Sequence, residues 1–288
     1  MMTLKASVNY HVQSHEAQAF QFDVDGISGN LVAPELVPTQ VNVKDNRDHG
    51  SDINFANDGI TFVTHPSVVT EFDEDRAWQP AYDQEIQTLL TQEINAREVI
   101  VFDHTVRIDD QGSARQPARN VHNDYSPDGA NQRLVNLVGK ERAKTFQEGA
   151  FAFVNVWRPI SPVITTSPLG FIHPTSMDNE DWMTIDLIYP DRKGEILGVA
   201  ANPKHEWFYQ SNMRSDDVVI FNVYDNQGRP YLAHSALDIV GQSAVNRTAN
   251  EHRNTHLGEI RISVAKEKTP EGSTPLRHEK RKEEKTKI

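Results

Sequence analysis

The chain has 288 residues, no cysteine, and a formal net charge of −12 at pH 7. This acidity argues against a nucleic-acid or anionic-membrane partner, and the lack of cysteine excludes disulfides and thiolate metal sites. Any bound metal must therefore have histidine and carboxylate ligands. No segment approaches the roughly 18 apolar residues of a membrane span, and the first residues lack an apolar signal region, so we expect a cytoplasmic protein. The sequence does not indicate an oligomeric state.

The first hundred residues combine short strands with one amphipathic helix. Residues 5–12, 20–24 and 59–69 suit strands, whereas residues 43–59 form a long polar connection. A helix is predicted over residues 79–96, because its apolar residues recur at intervals of three and four. These residues are Tyr82, Ile86, Leu89, Leu90 and Ile94. Residues 97–108 then suit a strand.

After a polar segment rich in Pro, Gly and Asn, interpreted as a turn, residues 134–149 suit a second helix that Gly149 closes. Strands follow at residues 150–160, 194–200, 205–212 and 258–265, together with a hairpin over residues 216–237 whose turn is Asp-Asn-Gln-Gly. A few helices followed by antiparallel strands favour a mainly β fold with flanking helices, a sandwich or barrel, over a doubly wound sheet.

The expected organisation is one domain over residues 1–265, followed by a charged tail. Residues 266–288 contain eight basic and five acidic residues and almost no apolar ones. Such a segment buries too little apolar surface to offset the entropy lost on ordering. We therefore expect residues 266–288 to be disordered.

The first candidate site lies in the sequence RNVHNDYSPDGANQRL, residues 119–134. In an extended segment, His122 and Asp124 lie on the same face, because residues i and i+2 of a strand do so. An imidazole and a carboxylate together supply two thirds of the 2-His-1-carboxylate triad that holds non-haem Fe(II). The alternative is that His122 hydrogen-bonds Asp124 on a surface turn.

A third ligand must come from a different strand, and His234 is the best placed of the twelve histidines. It lies in the second arm of the expected hairpin, between apolar neighbours. A histidine in such a position is also compatible with an ordinary core residue, so the metal interpretation depends on its pairing with the H-x-D motif.

The last strand carries a possible carboxylate site. Arg261 and Ser263 are two residues apart and face the same way, and an arginine beside a hydroxyl can bind a carboxylate through several hydrogen bonds. Enzymes that use 2-oxoglutarate need such a site on the strand next to the distal histidine. The alternative is an exposed arginine paired with Glu259.

Several sequence blocks occur in a specific order: VIVFDHTVR, NVHNDYS, FVNVWRPI, PLGFIHPTSM, HEWFYQSNM with DDVVIFNVYD, and AHSAL with EIRISV. Over residues 5–265, this order resembles the asaB-type hydroxylase/desaturase family. The resemblance implies a double-stranded β-helix (a jelly-roll or cupin-like barrel) and an Fe(II)/2-oxoglutarate-dependent dioxygenase that uses O2.

By the same resemblance, the metal ligands are His122, Asp124 and His234, and the 2-oxoglutarate arginine is Arg261. A long polar stretch before the last strand leaves Arg247 and Arg253 as rivals to Arg261. Asn155 is a candidate for cosubstrate binding. The candidates for substrate binding are Tyr125, which stands where many members have Gln or a hydroxyl residue, and Trp157, Arg158, Trp207 and Tyr209.

The expected function is hydroxylation or desaturation of a small molecule. Two alternatives keep a barrel but not this chemistry: a cupin-like metal-dependent isomerase or hydrolase, and a barrel that binds a small molecule without turnover. Neither alternative requires Arg261.

Overall fold

The computed structural model describes most of the chain. The described residues are 3–14, 16–22, 32–47, 53–73, 75–110, 112–113, 115–160 and 163–241, together with the backbone of residues 256–267. Within them, no helix is long and apolar enough to cross a membrane.

More of the described residues lie in strands than in helices. The strands are β1 Thr3–His11, β2 Gln18–Gln21, β3 Leu36–Asp45, β4 Ile60–Thr64, β5 Ala96–Ile108, β6 His122–Asn123, β7 Phe151–Pro159, β8 Leu169–Ile172, β9 Trp182–Ile188, β10 Lys193–Val199, β11 Trp207–Tyr209, β12 Asp217–Asp225, β13 His234–Ala236, β14 Asp238–Ile239 and β15 His256–Glu267. The helices are α1 Phe55–Asp58, α2 Gln79–Glu93, α3 Pro127–Val138 and α4 Lys140–Glu148, with 3₁₀ turns at Pro174–Ser176 and Asn179–Asp181. This composition confirms a mainly β fold with flanking helices.

The strands form two sheets. The larger sheet has the strand order β14-β1-β3-β11-β8-β13-β6-β10-β9-β2, and the smaller has the order β4-β12-β7-β15-β5. Most neighbours are antiparallel, but β3 with β11 and β2 with β9 are parallel. The larger sheet is therefore mixed.

The main apolar core fills the space between the two sheets. Phe153 of β7 and Phe221 of β12 extend into it from the smaller sheet, and Phe171 of β8 and Phe208 of β11 from the larger. The rings of Phe171 and Phe221 meet at 5.0 Å between centroids, an arrangement that contributes beyond simple burial. The packing of these rings joins the two sheets.

Strand β7 is buried on both faces, which explains why most of its residues are apolar. All nine residues are buried, and successive side chains point to opposite faces. Phe153 and Trp157 join the core between the sheets, whereas Val154 and Val156 pack beneath α2. Asn155 therefore occupies the inner face, the one that looks across to the larger sheet.

The predicted helix over residues 79–96 is confirmed as α2, whose buried residues are Tyr82, Ile86, Leu89 and Leu90. The segment interpreted as a turn is instead the start of α3: the Ser126 hydroxyl accepts from the Gly129 amide, and Pro127 follows it, a common N-terminal arrangement. The expected helix over residues 134–149 is in fact two helices. Gly139, at φ 79° and ψ 160°, separates α3 from α4.

The long polar connection expected over residues 43–59 also contains ordered elements. Strand β3 continues to Asp45, and α1 occupies Phe55–Asp58. The Asn54 side chain accepts a hydrogen bond from the Asn57 amide. This cap stabilises a helix too short to show apolar periodicity.

The expected hairpin over residues 216–237 is wrong, although its turn is present. Strands β12 and β13 lie in different sheets. Pro230 has no amide hydrogen to continue a ladder, and the Asn222 side chain donates to the carbonyls of Arg229 and Pro230. The chain therefore crosses between the sheets after Asp225, and His234 arrives next to β6.

Candidate metal centre and its cavity

Three buried side chains converge between the sheets. His234 of β13 pairs directly with His122 of β6, and Asp124 is the second residue after His122. Their candidate ligand atoms all lie within 4.8 Å of one another. His122 Nε2 is 3.7 Å from Asp124 Oδ1, and His234 Nε2 is 3.9 Å from Asp124 Oδ2. The three residues that the sequence predicted as ligands are therefore brought together.

Both imidazoles are oriented in the same way by the backbone. The Nδ1 atom of His122 lies 2.8 Å from the carbonyl of Asn120, and that of His234 lies 3.1 Å from the carbonyl of Leu232. A carbonyl can only accept, so each Nδ1 carries the hydrogen and each Nε2 presents a lone pair. This is the form in which neutral histidine ligates a metal.

Asp124 is held from the opposite sheet. The Asn155 side chain on β7 donates from Nδ2 to Asp124 Oδ2 over 2.6 Å. The exposed fractions of Asp124 and Asn155 are 4% and 1%, so water does not compete for this bond. The sequence made Asn155 a candidate for binding the cosubstrate, whereas the structure places its side chain against Asp124.

The donor set suits Fe(II). Two imidazole nitrogens and one carboxylate oxygen on one side of a site, with no sulfur, form the facial arrangement of non-haem iron enzymes. Burial of all three groups without a cation would leave the carboxylate next to two neutral rings, an arrangement that a divalent ion stabilises.

A histidine near the centre stays neutral. Burial is the main cause that lowers the pKa of His11 to about 4, and the repulsion from His122 in its protonated form is the second. His11 packs against Gly198 of β10, where an added Cβ would lie 2.9 Å from the imidazole carbons. Gly198 pairs with His122 in the sheet, so the absence of a side chain there makes room for His11.

A cavity opens onto the two histidines. It encloses about 380 Å³ of empty space, its mouth included. Trp157, a candidate for substrate binding from the sequence, lines it, and four of the six remaining wall residues besides the two histidines are apolar. The remaining lining residues are Arg107, Pro117, Ala118, Ser167, Leu169 and Ala236.

One arginine joins three segments around the cavity. Arg119 Nη2 donates to Asp109 Oδ1 and to the Ser167 hydroxyl, at 2.9 and 3.0 Å, and its Nε donates to Asp238 at 2.9 Å. Ser167 also donates to Asp109. Ser167 has a φ of 47°, which is uncommon for a residue other than glycine. The arginine network holds this cavity residue in place.

Sequence reasoning missed the six other wall residues of the cavity, three of which lie in loops. Pro117 and Ala118 precede β6, and Ser167 precedes β8. No periodicity marks a loop position that faces a cavity. The signal available in the sequence was position in the chain, since residues 109–121 lead directly into the H-x-D motif.

Three predicted substrate residues lie away from the cavity. Trp207 and Tyr209 of β11 pack on the outer face of the larger sheet, where the Trp207 indole donates to Tyr10. Arg158 lies on the α2 side of β7, donates to the carbonyl of His65 and stacks over Tyr82. Alternation along a strand explains the exclusion of Arg158, because its neighbour Trp157 faces the cavity.

Tyr125 packs against the core between the sheets, with its ring 4.9 Å from that of Phe153. In the register of the smaller sheet, Arg261 is opposite Asn155, and Ser263 is opposite Phe153. Residues opposite each other share a face of the sheet, so both positions belong to the inner face. Arg247 and Arg253 lie outside the described residues.

Comparison with known proteins identifies the family. A family model described as "Oxidoreductase/YMDC permease-like domain" matches residues 8–255. Alpha-ketoglutarate-dependent dioxygenase phiK of Fungal sp. is 29% identical, over 66% of this chain and 74% of the relative. Hydroxylase/desaturase efuI of Hormonema carpetanum is 28% identical, over 78% of this chain and 84% of the relative. These relatives confirm the resemblance to hydroxylase/desaturase proteins.

A solved structure shares the fold. The iron and alpha-ketoglutarate-dependent endoperoxidase NvfI matches with a TM-score of 0.78 and 20% identity, over 92% of this chain and 99% of that chain. The match confirms the double-stranded β-helix. By the family model that covers most of its length, the chain belongs to the oxidoreductase/YMDC permease-like domain family.

Proposed function

We propose that this protein is a non-haem Fe(II)/2-oxoglutarate-dependent dioxygenase that hydroxylates or desaturates a small molecule. One observation carries the proposal: His122, Asp124 and His234 converge with both Nε2 atoms facing the carboxylate. The relatives phiK and efuI, named as a dioxygenase and a hydroxylase/desaturase, support the same class.

The side chains around the centre have separate tasks. His122, Asp124 and His234 hold Fe(II), while Trp157 and the apolar wall exclude water from it. With 2-oxoglutarate and O2, Fe(II) held there would supply the oxidising chemistry needed to functionalise an unactivated carbon of the substrate. The protein's own contribution is therefore to bind and orient the metal, the cosubstrate and the substrate.

The far carboxylate of 2-oxoglutarate is assigned to Arg261, with Ser263 as a second donor. The register that sets Arg261 opposite Asn155 supports this assignment. Arg247 and Arg253 remain rivals. Tyr125, next to the ligand Asp124, and Trp157 are the two substrate candidates kept from the sequence. The proposed substrate is a small molecule. For the protein itself, we propose a cytoplasmic location and no nucleic-acid or membrane partner.

The direct test is release of succinate from 2-oxoglutarate by the full chain, with and without Fe(II) and ascorbate. We expect Fe(II)-dependent succinate even without substrate, at a rate that His122→Ala reduces to background. His173→Ala is the matched control, because His173 caps a 3₁₀ turn instead of facing the centre. Metal-dependent isomerisation or hydrolysis without succinate release would favour the cupin-like alternative. Absence of any turnover would favour a protein that only binds a small molecule.

A further inference from the structure

The smaller sheet supports the ligands that the larger sheet carries. Asn155 of β7 and Phe221 of β12 are direct partners in the register of the smaller sheet. Each contacts a different ligand across the interior. Asn155 donates to Asp124, and the ring of Phe221 meets that of His234 edge-on at 4.9 Å between centroids.

The two residues that these contacts support, His234 and Asp124, differ in where they lie relative to a strand. The ring of His234 is also fixed by its backbone partner Leu232 and by its own strand. Asp124 lies just past the end of β6, which covers His122 and Asn123. The side-chain bond from Asn155 therefore acts on the carboxylate at the point where the chain leaves the strand.

We propose that Asn155 is a positioning residue that sets the affinity of the centre for divalent metal. Its amide fixes Asp124 Oδ2 and the rotamer of the carboxylate, so that Oδ1 is presented beside the Nε2 atom of His122. This inference rests on the proposed metal centre and assigns Asn155 a role other than cosubstrate binding. Partners of a ligating group commonly contribute tenfold to a hundredfold in metal affinity.

The choice of an amide follows from the chemistry of the bond. A neutral donor satisfies one carboxylate oxygen without adding a charge that competes with the metal. Aspartate at the same position has nearly the same shape but can only accept when ionised, and it would set two carboxylates against each other. Leucine keeps the shape and has no donor.

The test uses Co(II), which resists oxidation by air, and the full chain without added 2-oxoglutarate. The dissociation constant and the visible absorption of Co(II) are measured for the wild type, Asn155→Leu and Asn155→Ser. Thermal unfolding of each metal-free protein is followed in parallel. Serine is the shortest available side chain with a donor, so it separates loss of the bond from loss of shape.

We expect Asn155→Leu to weaken Co(II) binding tenfold to a hundredfold, to change the absorption bands, and to leave metal-free unfolding close to the wild type. Asn155→Ser should recover part of the affinity. The matched control is Asn222→Leu, which removes a buried strand amide whose partners are backbone carbonyls. It should lower metal-free stability and leave the Co(II) constant unchanged.

Equal Co(II) binding by Asn155→Leu and the wild type overturns the inference while leaving the metal centre intact. Equal weakening in Asn155→Leu and Asn222→Leu also overturns it, because the effect is then one of general stability. Should Asn155→Leu fail to fold, the comparison of Asn155→Ser with the wild type decides. A wild type that does not bind Co(II), with His122→Ala indistinguishable from it, removes the proposed function itself.

Discussion

At the scale of single residues, hydrogen bonds set the tautomer of the two histidines and the orientation of the carboxylate at the centre. Backbone carbonyls fix both imidazoles with Nε2 inward, and Asn155 fixes the carboxylate. Each of these contacts joins one protein atom to another. The site is thus preorganised, which lowers the cost of ordering side chains when an ion binds.

The anchor for 2-oxoglutarate gives a residue-level prediction. Arg261→Ala removes charged hydrogen bonds worth about 2 kcal/mol, so the apparent KM for 2-oxoglutarate should rise about 30-fold, with Co(II) binding unchanged. The measurement is a titration of 2-oxoglutarate against succinate release. Arg247→Ala and Arg253→Ala are the comparisons; a large shift in either, with none in Arg261→Ala, would assign the anchor to the preceding stretch.

Gly198 gives a second prediction, because an added methyl would lie 2.9 Å from the buried His11 ring and 3.0 Å from Ile185. Gly198→Ala should lower the free energy of unfolding by about 1–3 kcal/mol, the usual range for overpacking. The control is Gly194→Ala on the same strand, where the nearest atom is an ordinary 3.7 Å away. Urea unfolding compares the two, and similar losses in both would contradict the packing argument.

Residue-scale reasoning from sequence predicted which three side chains converge at the centre but only part of their surroundings. His122 and Asp124 lie close together, as expected for residues two apart in an extended segment. The partner of Asp124 lies 31 residues further along the chain, and no local pattern indicates that distance. The same limit explains why Trp207 and Tyr209 were wrongly expected near the substrate. Their strand was predicted, but the local sequence does not show that both side chains lie on the outer face of the larger sheet.

At the scale of elements, local pattern located most strands and α2 but did not assign strands to sheets. The residues of β12 and β13 look like two arms of a hairpin because a good turn separates them. The sheet that a strand joins depends on which sheet edge has unpaired backbone groups for it to pair with, and that is a property of the whole fold. The crossing between sheets after Asp225 is the clearest case.

The junction between α3 and α4 yields an element-level prediction. Gly139 adopts φ 79° and ψ 160°, a region open essentially to glycine alone. Gly139→Ala should therefore lower the free energy of unfolding by about 1–3 kcal/mol, although no atom within 4 Å would meet the methyl. Gly139→Asn should give no rescue, because asparagine tolerates the left-handed helical region and not this one. Chemical unfolding of both variants is the measurement; a neutral Ala variant would contradict the strain argument.

At the scale of the whole molecule, two sheets enclose one centre, and the proposed boundary of the domain is near residue 265. Strand β15 continues to Glu267, two residues past this proposed boundary. Residues 268–288 lie outside the described residues. Their composition, with few apolar side chains, is the reason to propose that they contribute little to stability.

Removing residues 268–288 should leave the thermal midpoint and the rate of succinate release unchanged, since a segment that buries little apolar surface adds little free energy of folding. The truncated and full chains are compared by thermal unfolding and by the succinate assay. A loss of several degrees in the midpoint would show that the tail packs on the domain.

The pairing of His122 with His234 also has a consequence for how the protein folds. The two residues are more than a hundred positions apart, and between them the chain must place β7 and β12 in the other sheet. Closing so long a loop is entropically costly and slow. We therefore expect the histidine pair to form late, after most of the non-local strand pairing. A metal that binds it would therefore slow unfolding more than it speeds refolding, because contacts absent from the transition state act mainly on the unfolding rate.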